Sequence, residues 1–123
     1  MPLSPQTWLD SQTVNTTLTG VLNQSNIAQL ANGNLLVTWT SDHVTGDGAP
    51  EGTEVFGQLY DPLGAPIGTE FRINQASTVD NEGDSDIVAL PDGGFLVIYH
   101  DDDLAGGGGS NIRLERLDRK SVV

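Results

Sequence analysis

One internal repeat constrains this chain more than any other feature. Ile27–Trp39 (Ile-Ala-Gln-Leu-Ala-Asn-Gly-Asn-Leu-Leu-Val-Thr-Trp) aligns without a gap with Ile87–Tyr99 (Ile-Val-Ala-Leu-Pro-Asp-Gly-Gly-Phe-Leu-Val-Ile-Tyr), 60 residues later. Glu54–Asp61 aligns with Asn111–Asp118 at a spacing of 57, and Val14-Asn15-Thr16 with Ile73-Asn74-Gln75 at 59. The spacing drifts only across Gly- and Asp-rich stretches, as expected when each copy is one structural unit and insertions fall in loops. Within a single domain of 123 residues, repeat one spans about 14–73 and repeat two about 74–118.

Each unit reads as β-structure. Asn32-Gly33 and Asp92-Gly93 are hairpin signals, each between apolar runs. In the run after the first turn, Leu35, Val37 and Trp39 alternate with Leu36, Thr38 and Thr40; after the second, Phe95, Val97 and Tyr99 alternate with Leu96, Ile98 and His100. One face is strongly apolar in both copies, and the other is mixed, which predicts partial burial there too. A third strand is expected at Val55–Tyr60 and Ile112–Leu117. A turn at Asp61-Pro62-Leu63-Gly64 leads to a fourth at Ile67–Ile73. No window holds a 3.6-residue period, so the expected fold is all-β without helices.

Copy two stops after its third strand. The N-terminal segment, about 7–15, aligns in its last residues with Phe71–Asn74 and is expected to pair beside Ile112–Leu117 and cover that edge. The expectation is two four-stranded antiparallel, propeller-blade-like sheets. They would be closed into a ring by oligomerisation or packed within one chain as a sandwich. Two blades cannot close a propeller, so a homo-oligomer is the expected assembly.

Composition narrows the partners. Lys plus Arg number 5 against 17 Asp plus Glu, a formal charge of −12, and no basic residue precedes Arg72. Phosphate repels such a chain, which argues against nucleic acid. No apolar run is long enough to insert in a membrane. There is no Cys, hence no disulfide or thiolate chemistry. Met1-Pro-Leu-Ser has neither a basic n-region nor an apolar h-region, so no cleaved signal peptide is expected. Abundant carboxylates with Gly, Asn and Thr suit surroundings rich in calcium or salt.

The repeat carries three further cues: Ala28–Trp39, echoed by Ala89–Tyr99; Val55-Phe56-Gly57-Gln58-Leu59-Tyr60-Asp61; and Gly64-Ala65-Pro66-Ile67-Gly68-Thr69-Glu70-Phe71-Arg72-Ile73-Asn74. In these it resembles the tandem repeat of large secreted bacterial proteins of the hemolysin-type (RTX-like) calcium-binding adhesin class. The resemblance implies a secreted or cell-surface setting, a structural or adhesive role and a propeller-blade-like unit. Copy two departs from it at Arg113-Leu114-Glu115, where Gly-Gln is missing.

Candidate calcium ligands fall in two places. Asp80, Glu82, Asp84 and Asp86 alternate as at the first ligand positions of an EF-hand. The twelfth position is Pro91 rather than Glu, and flanking helices are not expected, so this is no EF-hand: a generic Ca²⁺ loop is weighed against a solvated acidic turn, which charge patterning favours. Asp101, Asp102 and Asp103 precede four glycines and Asn111. Residues 106–114 approximate the calcium nonapeptide G-G-x-G-x-D-x-U-x, with Asn111 at its Asp position and Arg113 where an apolar residue belongs. A third acidic stretch, Asp42, Asp47, Glu51 and Glu54, is less dense. His43 and His100 have no partners at ligand spacing, so zinc is not expected. No nucleophile elbow or phosphate loop is present. The chain is therefore expected to be non-enzymatic. The alternative is a carbohydrate-binding lectin of propeller-like blades. Trp39 and Tyr99, at matching repeat positions, and Trp8 would then stack on a glycan or other cell-surface ligand. Their strand neighbours argue instead that Trp39 and Tyr99 are core aromatics.

Overall fold

A computed structural model describes residues 11–16, 21–42, 52–74, 81–103 and 109–118. Among them lie seven strands and no helix: β1 (Leu22–Gln29), β2 (Leu35–Ser41), β3 (Glu54–Tyr60), β4 (Pro66–Arg72), β5 (Asn81–Ala89), β6 (Phe95–Asp103) and β7 (Gly109–Leu117). They form two antiparallel sheets, ordered β1-β2-β3-β4 and β5-β6-β7.

The hairpins repeat down to single hydrogen bonds. Gly33 N–H donates to the Leu30 carbonyl at 3.0 Å, and Gly93 N–H to that of Leu90 at 3.1 Å. Asn32 and Asp92 each accept from the backbone N–H two residues on, at 3.0 Å in both copies. Gly33 and Gly93 alone in their turns have positive φ, 89° and 93°. Each turn is thus a type I turn closed by a left-handed glycine bulge, a geometry that a residue with Cβ adopts at a cost.

The Gly-Gln pair of repeat one also has a structural cause. A Cβ on Gly57 would lie 3.1 Å from the Phe71 ring and 3.1 Å from Ile73 Cδ1. The register between β3 and β4 shifts between Gly57 and Leu59. Buried Gln58 spends its amide on the carbonyls there, donating to Leu59, Ile67 and Gly68 at 3.0–3.3 Å. Asn74, the last residue of the motif, accepts from Val55 N–H at 2.8 Å. In repeat two Leu114 and Glu115 replace Gly57 and Gln58, and β7 pairs only with β6 among the described strands.

Three expectations need correction. The second sheet has three strands among the described residues, not four. The described part of the N-terminal segment forms no strand: Gln12 Nε2 donates to the Gly64 carbonyl at 3.0 Å and Thr16 N–H to Glu70 at 2.9 Å. It thus lies along the first sheet rather than beside β7. Residues 7–10 lie outside the described residues. Finally, the stretches expected as acidic loops are largely strand. Residues 81–86 begin β5 and Asp101–Asp103 end β6, while β1 starts at Leu22, five residues before Ile27, where the apolar run Ile27–Leu30 leads the sequence to place a strand.

The main core lies between the sheets. From the first come Leu30, Leu36, Val55, Leu59 and Ile73; from the second Ile87, Phe95, Val97 and Tyr99. Trp39 is buried on the other side of its sheet, its ring stacked on Phe56 with centroids 6.3 Å apart.

Candidate functional site

The register gathers the acidic residues at one end of the second sheet. Asn81 stands opposite Asp102, Glu82 opposite Asp101, Asp101 opposite Asn111, Asp102 opposite Ser110 and Asp103 opposite Gly109. The two candidate calcium regions, separate in sequence, therefore share one end of the sheet, with Glu82, Asp101 and Asn111 on one face and Asn81, Asp102 and Ser110 on the other. Opposed side chains in an antiparallel pair stand about 5 Å apart. Glu82 and Asp101 are both buried, so two like charges share a dehydrated neighbourhood. Asp101 Oδ2 is paired with Arg113 Nε at 2.7 Å, while its buried Oδ1 has no hydrogen-bond donor. Asp102 is held by Ser110 Oγ at 2.8 Å and faces His100 Nε2 at 3.2 Å.

Asp84 sits at a β-bulge where the register shifts between Gly83 and Asp86. The same shift occurs between Asn23 and Asn26 of β1. The bulge residues Gln24 and Asp84 have φ of 54° and 51°, a left-handed conformation uncommon outside glycine. They clasp each other across the sheets: Gln24 Nε2 donates to Asp84 Oδ1, and Asp84 N–H to Gln24 Oε1 at 3.1 Å. Asn26 Nδ2 adds a bond to the Ser85 carbonyl at 2.8 Å and a longer one to Asp86 at 3.4 Å. Much of the acidic run therefore joins the two repeats.

A polar cleft of about 230 Å³ opens beside this clasp, lined among others by Asn23, Asn81, Glu82, Asp84, His100 and Asp102. Beside the His100 imidazole and two threonines, its lining carries amide and carboxylate oxygens, the chemistry that suits a hard cation, and the orphaned Asp101 Oδ1 lies at the same end. Among the described residues no three Asp, Glu or His are gathered closely enough to hold a metal ion. Asp86 is engaged with Asn26, and Asn111 is exposed at the start of β7. Asp80 lies outside the described residues, as do Trp8, His43, Asp47 and Glu51. Of the third acidic stretch, Glu54 is buried and paired with Arg72 at 3.1 Å.

Sequence reasoning missed Gln24, whose position shows neither charge nor periodicity. Its only signal is that it aligns, 60 residues away, with Asp84.

Both tyrosines resist ionisation. Burial pushes the Tyr99 phenol well above its ordinary 10.0; the charge of Glu115, which accepts its hydroxyl at 3.2 Å, and then Glu82 and Asp101 push the same way. Burial raises Tyr60 as well. The unfolded chain releases these protons near pH 10 while the folded chain retains them. Their contribution to stability is therefore full below about pH 10 and declines above it, by at most about 1.4 kcal/mol per pH unit per tyrosine. Alkaline titration should show tyrosinate absorbance rising together with loss of the β circular-dichroism signal, and Tyr99→Phe should flatten the dependence. Ionisation near pH 10 with the fold intact would contradict this picture.

No protein-family model matches the chain, and neither the curated proteins nor the solved structures contain a match.

Proposed function

We propose that the chain is a non-enzymatic structural or adhesive β-repeat module of a secreted or cell-surface protein, built of propeller-like blades, with calcium associated with the acidic end of its second sheet. The observation that carries this reading is how the polar residues are employed. The Gln24–Asp84 clasp, Asn26 with Ser85, and Thr38 with Ser85 (hydroxyls 3.0 Å apart) join one repeat to the next. Glu54 and Asp101 are paired with arginines on neighbouring strands. The first three contacts join the sheets and the two ion pairs tie strands within each sheet, as a scaffold requires. A lectin would need an open aromatic face, and the rings of Trp39 and Tyr99 are buried, which favours the structural reading.

Calcium enters through the charge of −12 and the oxygen-lined cleft. An ion bound at the cleft would lower the negative charge that Asp84 and Asp102 place along its wall. A ligand held only by the folded state adds about 2.7 kcal/mol at a hundredfold excess over Kd. Millimolar Ca²⁺ should therefore raise the melting temperature above that in chelator, and Asp84→Asn with Asp102→Asn should abolish the gain. Identical curves in calcium, chelator and sodium chloride of equal ionic strength would remove the metal from the account. Retention on a glycan array insensitive to chelator would favour the lectin.

A further inference from the structure

The two sheets meet through unlike faces. Sheet one offers the face bearing Leu36, Thr38 and Val55; sheet two offers the alternate face, bearing Ile87, Phe95 and Val97. Because the copies align, the residues that β1, β2 and β3 place on the first face have counterparts in β5, β6 and β7, on the side turned away from the core. There Val88, Leu96, Ile98 and Ile112 stand where Ala28, Leu36, Thr38 and Val55 stand in sheet one.

Exposure separates the two sharply. Val55 is 0% exposed and Ile112, its counterpart, 67%; Thr38 is 0% and Ile98 41%. The bare face carries Val88 for Ala28, Ile98 for Thr38 and Leu114 for Gly57, and at its margin Arg116, paired with Asp92, stands where Leu59 is buried in sheet one. Its members are neighbours across strands: Val88 opposite Leu96, Ile98 opposite Leu114 and His100 opposite Ile112. A continuous apolar patch over three strands marks an interaction surface rather than a scatter of exposed residues.

The interface inside the chain indicates what fits there. Sheet one's face is covered chiefly by β5, which lies against β1, β2 and β3 and places Ile87 in the core. The counterpart of β5 is β1, and on its outer side Ile27, aligned with Ile87, is 61% exposed where Ile87 is 9%. Residues 14 and 15 border the Trp39 end of that face and leave Ile27 open.

We infer that the Val88–Ile98–Ile112–Leu114 face of one copy receives β1 of a second copy of this chain, Ile27 taking the place that Ile87 holds within the chain. The inference rests on the blade-stacking part of the proposal above and is independent of calcium and adhesion. Asp86 stands at this new contact where Asn26 stands within the chain, so the amide bond to the Ser85 carbonyl has no counterpart and the join rests on its apolar side chains. The interface is heterologous: each pair leaves one free face at either end, so copies add head to tail into a ring or a filament.

Light scattering across a concentration series should show the full chain rising above the 13.0 kDa of one copy. Ile27→Glu should be monomeric alone, as should the pair Ile112→Glu with Leu114→Glu. Mixed in equal amounts, the two variants should form a complex of twice the monomer mass, since each retains the face that the other lacks. All three side chains are exposed, and circular dichroism with melting checks that each variant folds; Ser replaces Glu wherever melting falls. A monomeric parent chain overturns the inference, as does a mixture that stays monomeric. Association of Ile27→Glu alone also overturns it, because the outer face would then pair with itself. The calcium melting experiment uses neither surface, so its failure and this one are read separately.

Discussion

Phe95→Ala should destabilise the chain by about 3–5 kcal/mol, the range for deleting a buried large aromatic. Phe95 is fully buried at the start of β6, in the cluster shared by both sheets, and pairs with Ala89 on one side and Leu117 on the other. The cavity would open between two sheets joined by polar bonds around their margin, so little can relax into it. Ile98→Ala, three residues on and on the far face of the sheet, should cost only about 1–2 kcal/mol, because 41% of its surface is already wet. Urea unfolding of the two variants gives the comparison directly. Equal losses would mean that the core does not lie between the sheets as described.

Arg72→Met should cost about 2–3 kcal/mol, although Arg72 is a surface residue. It leaves the carboxylate of Glu54, itself 2% exposed, buried beside no cation. Breaking a fully buried pair costs about 3–5 kcal/mol; partial hydration of Arg72 lowers the figure. Adding Glu54→Gln should restore most of the loss, since the penalty belongs to the stranded charge rather than to the missing bond. A double-mutant cycle by denaturant unfolding measures this. If the double variant is as unstable as Arg72→Met alone, packing of the arginine stem is the better explanation.

The strands of both repeats were legible because local chemistry dictates them. Alternation of apolar residues, Asn-Gly and Asp-Gly turns, and Asp61-Pro62 act over a few residues, and all three turns form where the sequence places them. The acidic stretches misled because polarity reads as loop. The strand character of residues 81–86 comes from pairing with His100, Asp101 and Asp102, partners about twenty residues away. The same applies to Leu22–Asn26, a run whose composition gives no strand signal but which β2 holds in register up to its bulge. The candidate calcium residues were legible as types and not as a constellation: only the register shows that Glu82 and Asp101 are opposed and that both acidic stretches share one end.

What the sequence determined alone is the repeat, its β character and its charge, since these follow from residue order and residue chemistry. It also carried the equivalence of Trp39 and Tyr99, Gln24 and Asp84, and Val55 and Ile112, because alignment needs no coordinates. Tertiary structure decided how equivalent residues come to differ. Tyr99 faces the neighbouring sheet whereas Trp39 stacks on Phe56 on the far side of its own. Val55 is buried and Ile112 bare. Residues 11–16 lie along the first sheet, although Gln12–Asn15 match in sequence the end of a strand that the second sheet lacks among the described residues. The physical reason is that two similar units stacked by unlike faces cannot have identical surroundings. Each contact buries one face of each sheet and leaves the other to solvent or to a further partner, and which face is buried is set by long-range packing that residue order does not encode locally.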